Sequence, residues 1–194
     1  EKDLLKRYNL LQDFLKESKQ FGAQRQESEK AAVEIGLDNL SRNAGFKDRV
    51  RFSWAMEAKA TQEIMENATL TLDETQLKLV INQLGKATIQ VNKAGKPLKS
   101  IPAKYRKEKA VVALKEHKSY LAQQYKRTRL SLENAMVNED EFTAAEIHKL
   151  MQHPIVKAML QQLVLFAPEK GITGFYREGR LTNASGKTHS LTQD

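Results

Sequence analysis

Cysteine is missing altogether from the 194 residues of this chain. Its absence excludes a disulfide framework, a thiolate metal site and a cysteine nucleophile, and it fits a reducing compartment, so the cytoplasm is the expected location. Long apolar runs are missing as well: nothing approaches the roughly 18 to 20 residues needed to span a bilayer. The opening EKDLLKRYNLLQDFL is charged where a signal peptide would be apolar. No membrane partner is expected. Signatures of chemistry are equally scarce. The glycines form neither GxGxxG nor GxxxxGK[ST], and in GKPLKS the imino acid Pro97 removes an amide that a phosphate loop would use. His148 and His153 are five apart and lack the intervening Glu of a zinc-protease helix, so they read as surface or helix-end residues, while His117 and His189 stand alone. Ser185 and Ser190 flank His189 without a GxSxG elbow. The acids Glu139, Asp140 and Glu141 read as a solvated loop ahead of a helix start. No catalytic residue, metal site or cofactor is predicted.

What the chain does have is basic charge. Its composition is otherwise ordinary for a globular protein, with 40% hydrophobic and 29% charged residues and a formal net charge of +8. Residues 93–129 hold twelve Lys or Arg against two acids, Glu108 and Glu116. Within that stretch Lys99, Lys104, Arg106 and Lys107, beside Tyr105, and farther on Lys126, Arg127 and Arg129, are the candidates for contacts to a nucleic-acid backbone. At 100° per residue these charges do not gather on one helical face: Lys109 and Arg127 point away from the apolar stripe, whereas Lys115 and Lys126 flank it. A solvated helix whose lysine stems lie over apolar neighbours is the competing reading.

Periodicity predicts mostly helix. Leu4, Tyr8, Leu11 and Leu15, with Leu5 and Phe14, give an amphipathic helix over 1–21 that ends at Gly22. Two short helices broken at Gly36 and Gly45 are expected next, carrying Ala31, Ala32, Ile35, Leu37 and Leu40. A longer helix over 48–68 holds Trp54 as a core anchor. Alternation at Leu77, Leu79, Ile81 and again at Ala87, Ile89, Val91 favours a hairpin, although Leu77, Val80, Ile81 and Leu84 in the first arm also fit helical spacing. Pro102 is placed at the first turn of a long helix running to Val137, with the stripe Val111, Leu114, Leu121, Tyr125, Leu132 and Ala135 interrupted by Lys118. Thr143 and Glu146 spell a capping box. A short apolar helix follows Pro154 and extends through Leu163 and Val164. ITGFYREGRLTNASGKTHSL predicts two or three short strands, with turns at Glu178-Gly179 and Ser185-Gly186. No internal repeat of fixed period stands out. The expected class is α+β, predominantly α: a single domain with a long central helix and two small β-hairpin elements, helical over 1–68 and 100–167, β over 69–99 and 171–192. An initial Glu1 and an end just after the last hairpin are read as the ends of a segment of a larger protein.

Three blocks carry a family resemblance: GKPLKSIPAKYRK at 95–107, RLSLENAMV at 129–137, and FTAAEIHKLMQHPIVKAMLQQLV at 142–164. In that order they resemble the C-terminal domain of unknown function in bacterial proteins labelled molybdate metabolism regulator, or MolR-like. LDNLSRNAGFKDRVRFSWAMEAKA at 37–60 resembles the upstream part of the same family, so the likeness spans 37–191. The resemblance implies a regulatory setting beside other domains, among them the WGR domain, a module also found in nucleic-acid-dependent ADP-ribosyltransferases. No WGR triplet occurs in this chain, and the resemblance supplies no catalytic residues. The leading expectation is a noncatalytic regulatory or interaction module of a larger bacterial cytoplasmic protein, whose partners are other domains of that protein, nucleic acid or an acidic protein. Nucleic-acid binding through the 93–129 segment is the alternative, and an enzyme ranks third.

Overall fold

A computed structural model describes residues 2–191, and Glu1 and residues 192–194 lie outside it. The fold is α+β, and the chain divides into two compact units, 1–63 and 64–194.

In the first unit α1 (Lys2–Ser18) and α2 (Ala23–Asn43) form an antiparallel pair, and α3 (Arg49–Glu66) begins. The α1 stripe buries Leu5 and Tyr8 and leaves Phe14 exposed. Helix α2 is unbroken through Gly36, against the expectation of two short helices. A Cβ there would meet the Leu11 methyls at 3.4 and 3.5 Å, an ordinary contact, so the position lies against α1, and the glycine's helix cost of about 1 kcal/mol does not break the helix. The buried face of α2 is Val33, Leu37 and Ser41, and Ile35 faces solvent. Asp48 caps α3 by accepting the Arg51 amide at 2.7 Å. Trp54 is buried, as expected of a core anchor. Around Phe52 the rings of Tyr8 and Phe46 pack edge-on at 6.0 and 5.4 Å, and the Tyr8 hydroxyl donates to buried Glu57 at 2.7 Å.

In the second unit each expected hairpin is present and is extended by further strands into a four-stranded antiparallel meander. Sheet 1 comprises β1 (Thr69–Leu72), β2 (Thr75–Ile81), β3 (Ala87–Lys93) and β4 (Lys96–Leu98); sheet 2 comprises β5 (Val164–Ala167), β6 (Ile172–Arg177), β7 (Arg180–Thr182) and β8 (Thr188–Ser190). The last expected hairpin extends to residue 192, which lies outside the described residues. Between the sheets in sequence run α4 (Lys109–Val137), α5 (Ala144–Leu150) and α6 (Pro154–Leu160). The inner face of sheet 1, Leu77, Leu79, Ala87 and Val91, packs with Val111, Leu114 and Leu121 of α4 and Ile155 of α6 in one core. Each large apolar side chain in it is worth about 1.5–3 kcal/mol of burial. Sheet 2 closes over Ile147 of α5 with Tyr176 and Leu181. Gly174 is forced by close approach, since a Cβ would stand 2.5 Å from the Thr182 carbonyl oxygen.

Two other boundaries move. Pro102 precedes a single 3₁₀ turn (Ala103–Tyr105), and α4 starts only after Glu108. Val164 leaves the expected short helix to begin β5, where it is 61% exposed; a short apolar run fits strand or helix equally well by period, and pairing with Phe175 decides it. The capping box forms as read: the Thr143 hydroxyl accepts the Glu146 amide at 3.2 Å, and Glu146 accepts the Thr143 amide at 2.8 Å. The two sheets share a local loop motif. Asn82-Gln-Leu-Gly85-Lys86 links β2 to β3, and Asn183-Ala-Ser-Gly186-Lys187 links β7 to β8. In both, the Asn side-chain oxygen accepts the amides two and four residues on, and the glycine has positive φ.

Candidate functional site

One flank of α4 and the adjoining strand β3 enclose the most distinctive surface of the second unit. Side chains at 115, 118, 119, 122, 125, 126 and 129 follow one another at steps of three and one and so line a single side of the helix. Against β3 they frame two open depressions of about 630 and 510 Å³, which meet at Ala122 and form one groove. Its floor is apolar and small: Ala87, Ile89, Val91, Ser119 and Ala122, with the Tyr125 ring beside them. Its rim is cationic. Lys115, Lys118, Lys126 and Arg129 come from α4, Lys86 from the start of the β3 arm and Lys99 from the segment after β4. Among the described residues lining the groove the carboxylate is Glu133, and Arg129 holds it in an ion pair of 2.8 Å.

The block GKPLKSIPAKYRK forms the end wall. Lys99, Ser100 and Ile101 line the groove directly. The rest of the block is fastened in place: the Tyr105 hydroxyl donates to Asp73 at 2.6 Å and Lys104 pairs with the same carboxylate at 2.9 Å, over the Tyr105 ring. These bonds to Tyr105 and Lys104 hold the Asp73 carboxyl below the usual range. Bonds to Tyr105 and Asp73 in turn raise the Lys104 ammonium. Arg106 donates its Nε to the Ile101 carbonyl at 3.1 Å, and Lys115 reaches the Arg106 carbonyl at 3.4 Å.

Of the seven cations singled out in the sequence, Lys99, Lys126 and Arg129 therefore share the groove. Lys104 and Arg106 serve the end wall. Arg127 is half-buried, its guanidinium 5.9 Å from the Tyr120 ring centroid, and Lys107 is exposed and lines neither depression. Lys86, Lys115 and Lys118 lay outside that set. Lys115 is legible only as a position flanking the stripe and Lys118 as the interruption of it, and Lys86 only once β3 is set beside α4.

The remaining polar candidates disperse. His148 is exposed on α5, Ser185 donates to Asn183 at 2.7 Å within its loop, and His189 sits on β8 opposite Leu181. His153 is at the helix end, as expected, yet it is buried: its Nδ1 accepts the Ile155 amide at 3.3 Å, and the Gln124 carboxamide meets Nε2 at 2.7 Å. Burial pushes its pKa down from 6.5 to about 4. Among the described residues no group of three or more His, Asp or Glu could hold a metal ion, and no helix is long and apolar enough to cross a membrane.

Residues 95–194 match the model of a domain of unknown function, DUF4132, and residues 1–56 match that of a family of unknown function, DUF5724. No curated protein and no solved structure matches the chain.

Proposed function

Since the chain belongs to the DUF4132 family, whose function is unknown, we propose from its surface that it is a noncatalytic interaction module that receives an anionic partner in the groove between β3 and α4. The observation that carries this reading is the single sign of the groove rim: six cations face one carboxylate, which is already paired. A surface of one charge sign over an apolar floor suits capture and orientation of a partner, whereas proton transfer calls for acids and bases with opposed environments. The setting is a larger bacterial cytoplasmic protein with a regulatory role, and the likeness to MolR-type regulators supports it. A second reading, direct nucleic-acid binding, draws support from Lys126 and Arg129, which line the same depression as the Tyr125 ring, on which a base could stack, and from Lys99 in the adjoining depression.

Both readings require affinity for polyanions. Poly-L-glutamate or oligothymidylate is expected to bind the full chain at low salt, with affinity falling steeply as salt rises. Charge reversal at Lys115, Lys118 and Lys126 to Glu should abolish binding without unfolding the chain, because all three are exposed. A wild-type chain that binds neither polyanion at low salt sinks the proposal.

A further inference from the structure

Resting on that reading of the groove and naming its occupant, we propose that an extended acidic peptide binds there as an added strand along the free edge of β3. Strand β3 pairs with β2 over its whole length, but β4 covers only Val91, Asn92 and Lys93. In an antiparallel pair, alternate residues direct both N–H and C=O to the same neighbour. The Ala94 amide donates to the Glu74 carbonyl on the β2 side at 2.9 Å, so residues 88, 90 and 92 also face β2, and the odd-numbered residues face the other way. The two-residue turn Ala94-Gly95, with φ of +46° and +79°, agrees: it leaves Lys93 and Lys96 as a bonded pair. Pro97, which has no N–H, stands opposite Asn92, where the ladder asks for none. Val91 and Lys93 are thereby satisfied by β4. Ala87 and Ile89 direct their amides and carbonyls past its end, where they meet no backbone partner among the described residues.

An unpaired edge of this kind templates an incoming strand. The space beside Ala87 and Ile89 is the groove itself. A strand about 4.8 Å from β3 would run over Ser119 and Ala122, whose small exposed side chains leave α4 a low wall there. Alternate side chains of that strand would turn toward Ala122 and Tyr125, which favours apolar residues. Its other side chains would reach the lysines of the rim, which favours carboxylates and repels a basic peptide. A nucleic acid could neutralise the same lysines, but it carries no amide and carbonyl ladder to offer Ala87 and Ile89. The unsatisfied backbone therefore selects peptide over nucleic acid.

The test uses the full chain at low salt with four labelled probes: a peptide of alternating Glu and Val, its Lys-Val counterpart, the Glu-Val peptide N-methylated along one edge, and oligothymidylate. The Glu-Val peptide is expected to bind, and N-methylation to weaken it by roughly tenfold or more through lost ladder bonds. The Lys-Val peptide should not bind. In the complex, hydrogen exchange at the Ala87 and Ile89 amides should slow, and the Lys115→Glu, Lys118→Glu double variant should lose the peptide while keeping its melting temperature. Equal affinity for the N-methylated peptide, or unchanged exchange at Ala87 and Ile89, overturns strand addition. Binding of oligothymidylate with failure of the Glu-Val peptide overturns it too and leaves the groove reading standing. Failure of both anionic probes removes both.

Discussion

At the scale of single residues, His153 joins α6 to α4 through a ring that is 2% exposed. Its Nδ1 accepts the Ile155 amide and so caps α6, which requires that Nδ1 carry no proton, and the Gln124 carboxamide stands 2.7 Å from Nε2. That arrangement needs the neutral ring, and burial lowers the pKa from 6.5 to about 4. The unfolded chain therefore binds a proton that the folded chain refuses, and stability rises with pH between those values. The contribution is complete above about pH 6.5 and is lost as pH falls toward 4. Over the whole window it amounts to about 3 kcal/mol. His153→Asn keeps a capping acceptor and removes the titration. Thermal melts from pH 7 to pH 4 should thus fall more steeply for the wild type than for His153→Asn, and parallel curves would contradict the assignment. Pro154 makes the helix-end position of His153 legible in the sequence. Its burial is not legible, because the covering residue, Gln124, is remote in the chain and reads as an ordinary polar helix position.

At the scale of elements, alternation is what a sequence shows best, and β2 and β3 were visible for that reason. β1 and β4 are too short to establish a period, β4 contains a proline, and the apolar run at β5 imitates a helix. The two Asn-x-x-Gly-Lys loops determine register as much as the strands do. In each, one carboxamide oxygen takes two amides that the turn would otherwise leave open: Leu84 and Lys86 at 3.0 and 2.9 Å, Ser185 and Lys187 at 3.1 and 2.9 Å. Asn82→Ala and Asn183→Ala should each lower urea stability by about 1–2 kcal/mol, since two hydrogen bonds vanish with one acceptor oxygen. Asn82→Asp should stay near the wild type, because a carboxylate oxygen accepts both amides beside Lys86. An Asn82→Ala chain as stable as the wild type would show that Gly85 alone sets the turn; Gly85 has φ of +77° and leaves only 3.2 Å between an added Cβ and that of Ala158.

At the scale of the whole chain, the helix wheel of α4 by itself scatters the positive charge, and on that view the groove is invisible. It becomes a feature only when Lys86 and Lys99, from either end of the β3–β4 hairpin, are set beside the flank at 115–129. Long-range assembly of this kind leaves no periodic mark. The basic block at 95–107 was conspicuous in the sequence, yet much of it braces Asp73 and the groove end, so conspicuous charge and available charge are different sets. Clustered like charges also carry a thermodynamic signature. Lysines held together on one rim repel one another, so a polyanion that binds only the folded chain should stabilise it by mass action. Poly-L-glutamate at about a hundredfold over its dissociation constant should add about 2.7 kcal/mol. For a chain of this size that is a rise of roughly 5–10 °C in melting temperature. The rise should shrink as salt approaches about 0.15 M, where screening acts within roughly 8 Å. It should vanish in the variant carrying Lys115→Glu, Lys118→Glu and Lys126→Glu. An equal rise in that variant would place the polyanion elsewhere on a basic surface and separate the groove from the net charge of +8.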